Sequence, residues 1–101
     1  MPVSIEKTDE MFLISLDGVV AIPTAAELKA AILQGLASGQ DLCFDLQNAT
    51  ELDITALQLL WAAGREASIA GMRAVLSGQV PETILTAAAD AGFETFPLVA
   101  K

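Results

Sequence analysis

The stretch Ala49-Thr50-Glu51-Leu52-Asp53-Ile54-Thr55-Ala56-Leu57, "ATELDITAL", joins two runs of opposite character. Before it, Asp41 to Leu46, "DLCFDL", is short and apolar, the pattern of a central strand covered on at least one face. After it, Ala56 to Ala70 carries Leu57, Leu60, Trp61, Gly64 and Ala67 at helical spacing, which assigns them to an inner face. The quoted residues are then the loop that leads a strand into a helix. They put a hydroxyl two residues after an acid, at the point where the helix starts.

Upstream, Met11 to Val20, "MFLISLDGVV", is rich in β-formers and predicts a strand with a bend near Asp17-Gly18. Met1 to Ile5 offers it a hairpin partner. Pro23-Thr24-Ala25-Ala26-Glu27 predicts a helix start, with Thr24 as cap and Glu27 closing a capping box. That helix should run from about Ala25 to Ala37, with Leu28, Ala31, Ile32 and Leu36 facing a core and Gly39 as its stop. Downstream, Gly71 ends the second helix and Met72 to Leu76 is a third core strand. Pro81 opens a last helix, from about Glu82 to Ala91, stopped by Gly92. Phe93 to Val99 is an apolar tail, open to a further strand or to packing as coil. Strands alternating with helices predict a single α/β domain over 1–101 with a largely parallel sheet.

Composition narrows the function classes. The chain has 101 residues, of which 53% are hydrophobic, and its mean hydropathy is +0.55. Disorder is excluded, yet no apolar run approaches the roughly 20 residues of a membrane span. The first ten residues hold Glu6, Lys7, Asp9 and Glu10 and no apolar signal core, so the expected location is cytoplasmic, without membrane insertion. Thirteen acidic residues against five basic give a net charge of -8, which repels a phosphate backbone and excludes nucleic acid as a partner. One cysteine and no histidine exclude the usual zinc site and any histidine-based triad. Cys43 itself reads as a buried, inert thiol. No phosphate-cradling glycine loop and no paired carboxylates on one element are present, so neither a cofactor nor an enzymatic activity is expected.

Two readings of Thr55 stay open at this point. It can cap the helix, with Gln58 three residues on completing a capping box, or Asp53 can cap and leave Thr55 in the first turn. Alternatively it is a modification site. A helix N-terminus tolerates a phosphate, and phosphate adds roughly -1.5 to -2 charges at pH 7. Asp45, Glu51 and Asp53 are expected to lie nearby and form an acidic corner that such a charge would sharpen. Trp61 is expected in the core, and Asp45 either caps the next turn or orients the Thr55 loop. The face bearing Leu59, Ala62, Ala63 and Ile69 is either covered by another helix or is a partner surface.

Three segments resemble the STAS domain family, the fold of anti-sigma-factor antagonists. Gly18 through Thr24, with Ala25 and Leu28, resembles its first strand-to-helix passage. Phe44-Asp45-Leu46 followed by Asp53-Ile54-Thr55-Ala56-Leu57 resembles its signature of an acid and Leu, then an acid, two hydroxyl residues, Gly and Leu. Gly71-Met72-Arg73-Ala74-Val75-Leu76 resembles its glycine-led strand. Together these cover about Val3 to Leu98. The resemblance implies a mixed, mostly parallel sheet of about four to five strands with helices packed mainly on one face. It also implies a non-enzymatic regulator that binds a protein partner, such as an anti-sigma-type serine/threonine kinase or a signalling complex in a partner-switching or chemotaxis-type pathway. Thr55 matches the second hydroxyl of the signature, the one such kinases phosphorylate. Partner contacts are expected at Asp45, Glu51, Asp53, Ile54, Gln58, Val20 and Ala21. Two departures stand out: Ala56 replaces the signature glycine, and Ala21 replaces an acid, which leaves Val19 to Pro23 wholly apolar. Small STAS proteins also serve as cytoplasmic subunits of lipid-transport ABC complexes, and this is the alternative role.

Overall fold

The computed structural model describes residues 3–20, 22–93 and 98–100. Strand β1 (Val3–Lys7) and strand β2 (Met11–Val20) form a hairpin, pairing antiparallel from Val3↔Leu16 to Lys7↔Phe12. Helix α1 (Ile22–Ser38) leads to β3 (Asp41–Leu52), helix α2 (Ile54–Ile69) to β4 (Ala74–Leu76), and helix α3 (Glu82–Asp90) to β5 (Val99–Ala100). The five strands lie in chain order, β1-β2-β3-β4-β5, and all pairs after the hairpin are parallel. Each parallel crossover moves one strand in the same direction. Because such crossovers are right-handed, α1, α2 and α3 share one face of the sheet. The mixed, mostly parallel sheet expected from the sequence is what forms.

Alternation in β2 and β3 builds the core. Phe12, Ile14 and Leu16 of β2 and Leu42, Phe44 and Leu46 of β3 are buried under the helices. Leu28, Ala31 and Ile32 of α1 meet them from above, and Leu57, Leu60 and Ala63 of α2 do the same. Gly35 explains how α1 approaches so closely. A Cβ there would overlap Leu42 Cδ2 and lie 3.0 Å from Phe12 Cδ1. Cys43 is buried and free, in register with Leu13 and Val75 on the opposite face of the sheet. Helix α2 ends as its sequence predicts: the N–H of Gly71, at φ +79°, donates to Ser68 O, and that of Met72 to Ala67 O at 2.7 Å.

Several expectations need correction. Helix α1 starts at Ile22, so Thr24 lies inside its first turn and does not cap it. Pro23 is the reason: its fixed φ suits a first helical turn, where its missing N–H costs nothing. Strand β3 does not stop at Leu46. It continues to Leu52, so the residues read as a loop are strand, paired to the second half of β2 from Asp17↔Asn48 to Val20↔Leu52. The expected bend appears there as register shifts between Ser15 and Asp17 and between Gly18 and Val19. Trp61 is not in the core; it is 49% exposed. In α2 the core positions are Ala56, Leu57, Leu60, Ala63 and Ala67, and Trp61 lies a helical step of about 100° away from Leu60. The tail contributes β5; its residues 94–97 lie outside the described residues.

Candidate functional site

The site forms where β2 and β3 end and α2 begins. Two backbone features fix it. Asp53 N donates to Val20 O at 3.1 Å, which ties the end of β3 to the end of β2. The Asp53 side chain then accepts from Ala56 N at 2.9 Å, so Asp53 is the cap of α2. This settles the open choice between caps. Thr55 is the second helical residue, and its hydroxyl is not required for capping. Its side chain is half-buried rather than exposed.

Exposed residues surround Thr55. Ile54, standing where the signature has its first hydroxyl, is 54% exposed, and Val19 is 51% exposed. Glu51 is exposed and pairs with Val19 across the strands. Gln58, one turn after Ile54, is exposed on the same side of the helix. Trp61 continues that stripe, with the Arg65 guanidinium 5.5 Å from its ring centroid. The sequence reading missed Val19 as a site residue and misplaced Trp61. The signal for Trp61 was present: Leu60, Ala63 and Ala67 already make a complete inner stripe with the small residues a closely packed helix needs.

Two residues named from sequence, Val20 and Asp45, do not bring their side chains to this surface. Val20 is fully buried, so only its carbonyl serves this corner. Asp45 is half-buried, accepts from Gln47 N at 3.0 Å and pairs with Ser15. It precedes Asp53 by eight residues of extended strand, on the order of 25 Å of chain. It therefore orients its own strand and does not join the acidic corner, which consists of Glu51 and Asp53. Ala21 lies outside the described residues.

Among the described residues no three metal-ligating side chains gather, and no helix is long and apolar enough to cross a membrane. A broad open hollow lies elsewhere, lined by Gln47, Gly78, Gln79 and Glu82 among others. Its ionisable group, Glu82, would repel a phosphate.

The family model described as "Mlab, STAS domain" matches residues 3–100. The chain belongs to the STAS family. No curated protein sequence matches it. Among solved structures, this STAS domain is similar to the Bacillus cell fate determinant SpoIIAA in its phosphorylated form, at 18% identity and a TM-score of 0.71, over 98% of this chain and 91% of that one. It is similar to an anti-sigma factor antagonist from Mycobacterium paratuberculosis, at 24% identity and a TM-score of 0.72, over 98% and 85% of the two chains. It also matches Mglu at 20% identity and a TM-score of 0.69; there 83% of this chain spans only 21% of the other. At these identities the likeness is one of fold.

Proposed function

We propose that this STAS domain is a non-enzymatic regulatory module that binds a partner protein at the start of α2, and that phosphorylation of Thr55 controls the binding. The observation that carries the reading is the position of Thr55. It follows the Asp53 cap, within a surface made by exposed Ile54, Val19, Glu51 and Gln58. A partner that covers Ile54 must pack against the Thr55 hydroxyl. A phosphate there adds roughly -1.5 to -2 charges beside two carboxylates. Against a carboxylate of the partner at roughly 6 Å, with an effective dielectric of about 20, each added charge costs near 3 kcal/mol before screening. Every 1.4 kcal/mol is about tenfold in affinity, so the modification would release a close-fitting partner. The phosphorylated form of SpoIIAA supports looking for the modification in this chain.

The test compares Thr55→Ala with Thr55→Glu for partner capture, together with mass spectrometry of the protein from its native cell. Thr55→Ala should keep the partner and Thr55→Glu should lose most of it, with phosphate found on Thr55. Equal capture by both variants, and no phosphate, would remove the switch.

A second reading is favoured by the apolar residues Val19, Ile54 and Trp61 and by the Mlab description of the matching model. In that reading the domain is a permanent subunit of a lipid-transport ABC complex. Trp61→Ala would then release the partner while Thr55→Glu would leave it bound, and a permease and an ATPase would be encoded alongside.

A further inference from the structure

We propose that phosphorylation of Thr55 evicts the Asp53 carboxylate from the start of α2 and takes over its cap, so that one modification turns two negative groups onto the partner surface. The proposal rests on the reading of Thr55 as the modified residue and adds how the site then changes shape. Donors at this helix end are few. The first helical N–H to reach a backbone carbonyl is that of Leu57, which donates to Asp53 O at 3.0 Å. The N–H groups of Ile54, Thr55 and Ala56 precede it and point out of the helix end. Among the described residues only that of Ala56 has an acceptor, Asp53 Oδ1 at 2.9 Å.

Thr55 is placed to compete for the same donors. In a helix the Cα–Cβ bonds tilt toward the N-terminus. A phosphate on the Thr55 hydroxyl therefore turns back over these three N–H groups, where the helix dipole favours it. Asp53 cannot retreat as a whole, because its N–H donates to Val20 O at 3.1 Å and its carbonyl accepts from Leu57 N. Two peptide units separate it from Thr55, so the two Cα atoms lie within about 7.6 Å. Both side chains are half-buried.

Magnitudes decide which anion stays. An Asp cap contributes roughly fivefold to the folding equilibrium. At roughly 6 Å and an effective dielectric of about 20, each added unit charge disfavours the carboxylate by about a hundredfold, and still by about tenfold once a Debye length of about 8 Å screens it. A phosphate brings roughly 1.5 to 2 such charges. The repulsion exceeds the cap, and the phosphate is covalently fixed, so the Asp53 side chain is the group that rotates away. Leu52, Ala56 and Leu57 are buried beside it. The carboxylate turns instead to the exposed side, where Val19, Glu51 and Ile54 lie. A partner fitted to the unmodified surface then meets Asp53 as well as the phosphate.

Melting of the isolated full chain tests this without any partner, so a failure here leaves the switch itself to be judged by partner capture and mass spectrometry. The chain with phosphothreonine at position 55 is made by ligation at Cys43, the only cysteine. In the unmodified chain Asp53→Ala should lower Tm by several degrees. In the phosphorylated chain the same substitution should leave Tm unchanged, because the cap it removes is already gone. Asp53→Asn, which caps without the charge, should keep its cap beside the phosphate and raise the Tm of the phosphorylated chain by several degrees. An Asp53→Ala loss of the same size with and without phosphate overturns the proposal, since Asp53 then keeps its cap. So does a phosphorylated Asp53→Asn chain that melts with or below the phosphorylated wild type.

Discussion

At the scale of single residues, the start of α2 separates two jobs that the sequence alone leaves entangled. Asp53 and Thr55 both carry oxygen atoms suited to a cap, and spacing cannot choose between them. The structure gives the cap to Asp53, whose carboxylate holds Ala56 N at 2.9 Å. Capping is worth about 1 kcal/mol, and for a domain of this length each 1 kcal/mol moves the melting temperature by roughly 4–8 °C. Asp53→Ala should therefore lower Tm by several degrees in a calorimetric or circular-dichroism melt. Thr55→Ala should lower it by much less, because only a half-buried methyl and an uncommitted hydroxyl are lost. If the two variants melt together well below wild type, Thr55 shares the cap and is less free to act as a switch. A Thr55 released from structural duty is the physical requirement for one that can be modified without unfolding its helix.

At the scale of elements, α2 carries two stripes with different tasks. Leu57, Leu60, Ala63 and Ala67 are buried against the sheet, while Ile54, Gln58, Trp61 and Arg65 face outward. Leu60→Ala should cost about 2–5 kcal/mol as a cavity in the core. Trp61→Ala should cost at most about half the 3–5 kcal/mol of a buried Trp, because half its surface is already in solvent. Urea titrations of both variants measure this. If Trp61→Ala destabilises as much as Leu60→Ala, the indole is a core residue and the outward stripe is not a docking face. Of the inner stripe, Leu57, Leu60 and Ala67 were legible from their spacing, whereas Trp61 was assigned to it and is exposed, and Ala63 was assigned to the outer face and is buried; the ends of α2 and α3 were legible because Gly71 and Gly92 punctuate them. The second half of β3 was not legible. Gln47, Asn48, Thr50 and Glu51 are polar and mostly poor strand formers, and they are held extended by pairing with Asp17 to Val20, a contact made from outside the segment. For the same reason Asp45 was placed too near Thr55: a strand read as a loop brings its ends together. Thr55, Asp53, Glu51, Ile54 and Gln58 were placed in one region by the signature, whereas Val19 joined them only through its strand pairing with Glu51.

At the scale of the whole molecule, the alternation of strands and helices made a mostly parallel sheet readable, while the strand order, which repeats the chain order, comes from the structure. Each crossover reaches the next strand, so no long-range rearrangement hides between the helices. Charge is the global property with the clearest physical consequence. The folded chain confines -8 within extents of 34 × 28 × 22 Å and a radius of gyration of 12.2 Å. An unfolded chain of this length has a radius of gyration of about 32 Å, so unfolding relieves much of the repulsion. At 0.01 M salt the Debye length is about 30 Å and every carboxylate feels every other across the domain; at 0.15 M it is about 8 Å and only neighbours interact. The folded state should therefore gain stability as sodium chloride is raised over this range, seen as an increase in the urea midpoint at constant slope. Chloride is the right salt, because sulfate would also strengthen apolar burial. The measurement is made at a protein concentration low enough to hold the chain monomeric, so that association adds nothing to the midpoint. A midpoint that is flat or falls with salt would mean that attractive pairs among the surface charges outweigh the net repulsion.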